Sequence, residues 1–95
     1  MTYKIEIDKK AEKDFDALDN AVRKQVIKFL EKLEKVENPR AFGEKLTGNL
    51  AGYWKYRVGD YRIVAEIQDD KLVIFVISIG KRETIYKKTK KRLNK

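Results

Sequence analysis

The sequence contains no cysteine and no histidine, and it has one proline and five glycines in 95 residues. Without cysteine there is no disulfide framework, no thiolate metal site and no cysteine nucleophile. Without histidine, the commonest acid/base group and commonest metal ligand is missing as well. Any catalysis must therefore run on Lys, Arg, Tyr, Asp or Glu, and neither a metal nor another cofactor is expected. Long apolar runs are also lacking. The longest, Leu72 to Ile77, is far below the roughly 20 residues needed to cross a bilayer. The start Met1-Thr2-Tyr3-Lys4 has no signal-peptide pattern, so a soluble, cytoplasmic protein with no membrane partner is expected. No P-loop, dinucleotide fingerprint or zinc spacing is present.

What the sequence does have is positive charge, concentrated at one end. It carries 23 Lys+Arg against 15 Asp+Glu, a formal net charge of +8 at pH 7. Residues 81–95 hold eight of the basic groups (Lys81, Arg82, Lys87, Lys88, Lys90, Lys91, Arg92, Lys95) against Glu83 alone. The body that precedes them is close to neutral. Such asymmetry suggests a polyanionic partner; for residues 87–95 themselves, a solvated or frayed helix is the alternative. The length suits one domain over residues 1–95, and a chain this short buries only somewhat more than half of its unfolded surface. A deep substrate cavity is not expected.

Hydrophobic periodicity divides the chain. Tyr3, Ile5 and Ile7 alternate with Lys4, Glu6 and Asp8, as in a half-buried strand, and Asp8 offers an N-cap to the segment after it. Ala11, Phe15, Leu18 and then Val22, Val26, Phe29, Leu30, Leu33 recur at three- and four-residue intervals, predicting two amphipathic helices over about 9–18 and 20–35. Asp19-Asn20 breaks them into an antiparallel hairpin, which Asn38-Pro39 ends. Residues 40–52 read as a connector. Three strands come next, over about 52–58, 61–68 and 71–79, separated by Gly59-Asp60 and Asp69-Asp70. A glycine at the first central position suits a type II′ turn. The unbroken apolar run Leu72 to Ile77 suits a central strand covered on both faces. The expected fold class is α+β: an N-terminal strand, an antiparallel helical hairpin, then three antiparallel strands completing a four-stranded sheet, with a basic C-terminal helix or tail.

If Gly59-Asp60 is a two-residue turn, the register sets Val58 opposite Tyr61, Arg57 opposite Arg62 and Lys55 opposite Val64. Lys55, Arg57 and Arg62 then share one face. Like charges directly opposite in a sheet are destabilising, and a bound anion would relieve them. The last strand delivers Lys81-Arg82 to the neighbouring edge, with Tyr86 four residues after Arg82. Cations interleaved with Tyr53, Tyr61 and Tyr86 suggest phosphates held beside stacked bases; a solvated basic face with packed tyrosines is the plain alternative. Trp54, Tyr56 and Phe75 read as core. Asp14 and Asp16 do not make a carboxylate dyad, because residues two apart on a helix do not face each other. Asp69 and Asp70 read as turn residues.

Three stretches carry a resemblance to a known family: Glu44-Lys45-Leu46-Thr47-Gly48, Gly59-Asp60-Tyr61-Arg62-Ile63-Val64, and Phe75-Val76-Ile77-Ser78-Ile79-Gly80-Lys81-Arg82-Glu83 with Tyr86 shortly after. With the element order, they resemble the RelE/ParE toxin superfamily over nearly the whole chain, and most nearly its RelE mRNA interferases. The resemblance implies a toxin of a type II toxin–antitoxin module that enters the ribosomal A site and cleaves the mRNA there. The implied partners are a cognate antitoxin, the ribosome around the A site (16S rRNA), and mRNA, with operator DNA reached through the antitoxin.

By the same resemblance, Lys55 and Arg57 fall on two strand lysines of the RelE site, Arg62 on the arginine after the hairpin turn, Arg82 on the arginine of the Gly-Lys-Arg-Glu motif, and Tyr86 on the catalytic tyrosine. Lys45, Lys81, Lys87, Lys88, Lys90, Lys91 and Arg92 are expected to bind RNA or the ribosome. The sequence departs from RelE at position 57, which is arginine rather than lysine; arginine does not act as a base but binds phosphate well. The turn after Arg57 and the spacing from Arg82 to Tyr86 are each one residue shorter. Tyr86 is then the expected general base with Lys55 in reserve, Arg57 and Arg62 hold the phosphate, and Arg82 assists the leaving group. Two rivals share the resemblance or the charge: a ParE-like poison of DNA gyrase, and an RNA- or ribosome-binding domain that breaks no bond.

Overall fold

A computed structural model describes residues 1–93; Lys95 of the basic tail lies outside the described residues. The elements run β1 (Lys4–Ile7), α1 (Lys9–Asp16), α2 (Asn20–Leu33), β2 (Glu44–Lys45), β3 (Trp54–Val58), β4 (Tyr61–Gln68), β5 (Val73–Lys81) and α3 (Ile85–Leu93), with 3-10 turns at Pro39–Phe42 and Gly48–Leu50. The sheet order is β1-β5-β4-β3-β2. β1 runs parallel to β5, and every other pairing is antiparallel.

The α+β class, the helical hairpin and the three C-terminal strands are as the sequence predicts. The sheet has five strands rather than four. β2 is only two residues of exposed Glu and Lys, with no alternation for the sequence to show; it exists because Glu44 pairs with Lys55 and Lys45 with Trp54. With β2 added, β4 is the middle strand, and β5 lies inside the sheet between β1 and β4.

Both helices of the hairpin start where a side chain caps them. Asp8 accepts from the Lys10 amide at 3.1 Å and Asp19 from the Val22 amide at 3.0 Å, satisfying donors that a helix N-terminus leaves open. α1 stops at Asp16 rather than Leu18, because the Leu18 amide reaches back only three residues to Phe15 and tightens the last turn. α2 stops at Leu33, two residues before the expected end.

The β4–β5 connection is a four-residue loop, 69–72, in place of the two-residue Asp69-Asp70 turn. Leu72 leaves the apolar run to take a left-handed φ of +53° there, so β5 starts at Val73 and extends to Lys81. Arg40 holds that loop, donating to both carboxylate oxygens of Asp69 at 3.0 and 2.8 Å. The pair holds the Asp69 carboxyl below its ordinary value.

The hairpin covers one face of the sheet. Ala11, Leu18, Val26, Leu30 and Leu33 meet Tyr56, Val58, Ile63, Ala65, Ile74, Val76 and Ile79 in one cluster. Tyr56 is 1% exposed; its ring lies 5.6 Å from that of Phe29 and its hydroxyl donates to the Pro39 carbonyl at 2.9 Å. Burial pushes the Tyr56 phenol up to about 12. α3 covers part of the other face, through buried Ile85 and Thr89. Thr89 Oγ1 donates to the Ile85 carbonyl at 2.7 Å, leaving the Ser78 hydroxyl to donate to Thr89 at 2.6 Å.

Trp54 packs against the core as expected, but Phe75 does not join it. A β-bulge between β4 and β5 pairs Val64 with Ser78 and Ala65 with Val76, and alternation then puts Phe75 on the α3 face, where it lines an open cavity with Ile77 and Leu93.

Candidate active site

The β3–β4 hairpin turns at Gly59 with a φ of +59° while Asp60 keeps a negative φ, the combination a type II′ turn requires. The register is the one the sequence implies, with Val58 opposite Tyr61, Arg57 opposite Arg62 and Lys55 opposite Val64. Lys55, Arg57 and Arg62 therefore stand on one face. β2 adds Glu44 opposite Lys55. β5 places Gly80 opposite Arg62, and the Arg82 amide donates to the Asp60 carbonyl at 3.0 Å, which ties the Lys81-Arg82 segment to the tip of the hairpin. Helix α3 then starts at Ile85 and contributes Tyr86.

These pieces enclose one cavity of about 180 Å³, lined by Glu44, Lys55, Arg57, Arg62, Arg82 and Tyr86. It is smaller than the roughly 300–1,000 Å³ of ordinary small-molecule pockets, a size for one anionic group of a larger ligand. All five expected catalytic residues line it. Glu44 is the sixth, and sequence pattern does not single it out. It stands in the Glu44-Lys45-Leu46-Thr47-Gly48 stretch that carries part of the family resemblance, but only the β2–β3 pairing shows that it faces Lys55.

The cations are held differently. Arg62 is 6% exposed, and its Nη1 donates to the Gly59 and Tyr61 carbonyls at 2.9 Å each; with five N–H donors on a guanidinium, the others remain for a ligand. Arg57, directly across the ladder, is exposed. Lys55 Nζ sits 3.7 Å from Glu44 Oε1 and 5.5 Å from the centroid of the Tyr86 ring. Arg82 is two-thirds exposed and 4.0 Å from Glu83 Oε1, a reach over which an exposed pair contributes little.

The surrounding residues are sorted less as expected. Tyr61 packs against the core on the opposite face, and Tyr53 lines the separate cavity beside Phe75; of the three tyrosines only Tyr86 joins the cations. Lys45 pairs with Trp54 and Lys81 with Tyr61, so both project from the face opposite to the cavity. On α3, Lys87, Lys90 and Lys91 are exposed beside Asn49 and Leu50. Lys88 and Arg92 instead turn inward and pair with Asp14, where the end of β5 has polar backbone groups that need partners. Among the described residues, no group of three or more Asp or Glu side chains could hold a metal ion. No helix among them is long and apolar enough to cross a membrane.

Residues 5–86 match the family described as the ParE toxin of type II toxin–antitoxin system, parDE. The chain is 40% identical to the mRNA interferase toxin RelE of Escherichia coli over 98% of its own length and 99% of that protein's. Among solved structures it is similar to a doubly arginine-substituted variant of E. coli RelE in the free state, with a TM-score of 0.75 and 33% identity, covering 98% of this chain and 99% of that one. The toxin in the intact E. coli RelBE toxin–antitoxin complex gives a TM-score of 0.69 at 33% identity, covering 83% of this chain and 95% of that one.

Proposed function

Starting from the premise that the chain belongs to the RelE/ParE superfamily of type II toxin–antitoxin toxins, we propose that it is an mRNA interferase, a metal-independent endoribonuclease that cuts mRNA in the ribosomal A site. What carries this assignment is one cavity lined by Lys55, Arg57, Arg62, Arg82 and Tyr86. Its chemistry is cationic around a single phenol and a single carboxylate, suited to a phosphodiester rather than to an apolar or cationic substrate.

Cleavage requires the 2′-oxygen to attack the adjacent phosphorus while the bond to the 5′-oxygen breaks. A base must take the 2′-hydroxyl proton, the added charge on phosphorus must be stabilised, and the departing oxygen must receive a proton. Arg57 and Arg62 face each other across the ladder at the place for the scissile phosphate. Arg62 is locked by two carbonyls, so it offers its donors without first losing freedom, which favours the transition state. Bridging by phosphate also turns an unfavourable like-charge pair into a clamp of guanidinium groups suited to bidentate contact. Tyr86 is the general base, with Lys55 beside its ring as the alternative. Glu44 is a third group able to accept a proton, and it lies 3.7 Å from Lys55 Nζ. Arg82, exposed at the mouth, stabilises or protonates the leaving oxygen. The products are a 2′,3′-cyclic phosphate and a 5′-hydroxyl.

The cavity is small, with room for little more than one phosphate group, so alignment of the mRNA must come from the ribosome, and free RNA is cut poorly. Exposed Lys87, Lys90 and Lys91 supply the contact to ribosomal RNA. The toxin works in the cytoplasm, and a cognate antitoxin with acidic and apolar residues neutralises it by covering the basic face.

The test is induced expression and then primer extension on a translated mRNA and on the same message with its start codon destroyed. Cuts confined to the translated message are expected; Arg82→Ala and Tyr86→Phe reduce them to a slow residual rate and relieve the growth arrest, while antitoxin binding persists. Growth arrest with intact mRNA and trapped DNA breaks would instead assign a gyrase poison. Normal cutting by Tyr86→Phe would move the base to Lys55 or Glu44.

A further inference from the structure

β1 is shorter than its neighbour. The parallel ladder ends with Ile7 opposite Val76, and the Asp8 amide closes it on the Val76 carbonyl at 2.9 Å. β5 runs on to Lys81, so beyond Val76 its backbone groups on that side have no strand to bond. A buried, unpaired backbone group costs as much as a lost hydrogen bond, and side chains supply partners for three of these groups. Arg92 Nη1 donates to the Ile77 carbonyl at 3.1 Å, the Ile79 amide donates to Asp14 Oδ2 at 3.0 Å, and Lys88 Nζ donates to the Ile79 carbonyl at 3.0 Å. Three side chains from two helices replace the missing strand.

Asp14 is the hub of that arrangement. Its side chain is 8% exposed and accepts from Lys88 Nζ at 3.2 Å and from Arg92 Nη1 and Nη2 at 2.6 and 2.7 Å, in addition to the Ile79 amide. Gly80 makes room for this: a Cβ there would lie 3.1 Å from Lys88 Nζ. Helix α3 needs such an anchor. It has nine residues, Ile-Tyr-Lys-Lys-Thr-Lys-Lys-Arg-Leu, with five cations and no acid. Isolated helices shorter than about 12–15 residues are marginal even without self-repulsion. Asp14 is the one carboxylate in ion-pair contact with α3 cations among the described residues.

The same helix carries Tyr86, the one residue of the cavity outside the sheet and the turn after it. Ile85, Lys88, Thr89 and Arg92 recur at three- and four-residue spacing on the docked face, so their contacts set the rotation of α3 about its axis and thereby the direction of Tyr86.

We propose that Asp14 is a positioning residue for RNA cleavage: by clamping Lys88 and Arg92 against the free edge of β5 it orients α3 and holds Tyr86 in the active-site cavity. Asp14 lies outside the cavity and touches no substrate. This rests on the mRNA interferase assignment for its catalytic half, whereas the docking of α3 is a property of the free protein.

Two measurements test it. In the free protein, Asp14→Asn keeps the shape and removes the charge. Amide exchange in α3, read at Lys88 and Thr89, then speeds up at least tenfold, while Ile63 and Val64 in β4 stay within twofold of the parent. Equal acceleration in both elements, or none in α3, overturns the proposal. On ribosomes programmed with mRNA, Asp14→Asn lowers the saturating single-turnover rate at least tenfold in the parent. In the Tyr86→Phe background the same substitution costs less than twofold, because the group it positions is already gone. Losses that multiply across the two backgrounds overturn the proposal. If the parent protein leaves ribosome-bound mRNA uncut, the interferase assignment fails instead, and the exchange data still decide whether Asp14 docks α3.

Discussion

Gly43 sits where the connector enters the sheet, and replacing it with alanine tests whether β2 is held by close packing. Its backbone is at φ −131° and ψ −177°, extended geometry that alanine adopts freely, so backbone strain is not at issue. Space is. A Cβ there would stand 2.7 Å from Tyr56 Cε1, 3.0 Å from Tyr56 Cδ1 and 2.9 Å from the Lys55 carbonyl oxygen. The carbonyl belongs to the β3 backbone, and the Tyr56 ring is pinned between Phe29 and the Pro39 carbonyl, so neither retreats cheaply. Overpacking of this kind costs about 1–3 kcal/mol, and the stiffer unfolded chain returns about 0.4–1. Gly43→Ala is therefore expected to lose roughly 1–2 kcal/mol, with a fall in Tm of about 4–8 °C per kcal/mol for a chain of this size. Urea unfolding monitored by fluorescence of the sole tryptophan, Trp54, measures it. The variant also shifts Glu44 away from Lys55 and weakens RNA cleavage. Stability equal to or above the parent would show that β2 gives way freely, and would refute both the packing argument and the role of β2 in shaping the cavity.

The same structure sets further outcomes. Burial works against ionisation of Asp14, but the bonds from Arg92, the Ile79 amide and Lys88 outweigh it and hold the carboxyl below its ordinary 3.8. The stabilisation is therefore complete above about pH 5 and is lost as pH falls through 3.8 to the lower folded value; an acid titration reads it as early exposure of α3 amides. At the alkaline end, burial raises the Tyr56 phenol from 10.0 to about 12, so stability is full below 10 and declines as pH climbs through 12, a loss that Tyr56→Phe removes. Thr89→Val strands the buried Ser78 hydroxyl and costs about 1–3 kcal/mol in urea unfolding, most of which Ser78→Ala restores in the double variant. Replacing Lys87, Lys90 and Lys91 together by alanine reduces the slope of log affinity against log salt for RNA by about 2 and leaves thermal stability unchanged; an unaltered slope would remove these lysines from the RNA contact.

Much of the fold was legible because it is written in local periodicity. The alternation of Tyr3, Ile5 and Ile7, the three- and four-residue spacing of the hairpin helices, and Gly59 at a tight turn each state a backbone geometry within a few residues. From that turn comes the register, and with it the facing of Lys55, Arg57 and Arg62. β2 was illegible, since two charged residues have no period, and so was Glu44 in the cavity. The length of the 69–72 loop was hidden because Asp69-Asp70 resembles a turn on its own, while the left-handed Leu72 is imposed by the register of β4 against β5.

The sequence alone thus determined the element types, the charge asymmetry and the set of cations that could meet a phosphate. Tertiary structure decided how those cations are used. Lys87, Lys88, Lys90, Lys91 and Arg92 look alike in a basic run, yet β5 outlasts β1, and the backbone groups left open at its edge draw Lys88 and Arg92 inward to Asp14 while Lys87, Lys90 and Lys91 stay exposed. An unpaired hydrogen-bonding group in a buried place is a demand that arises only when strands of unequal length are brought together, and no local pattern along the chain records it.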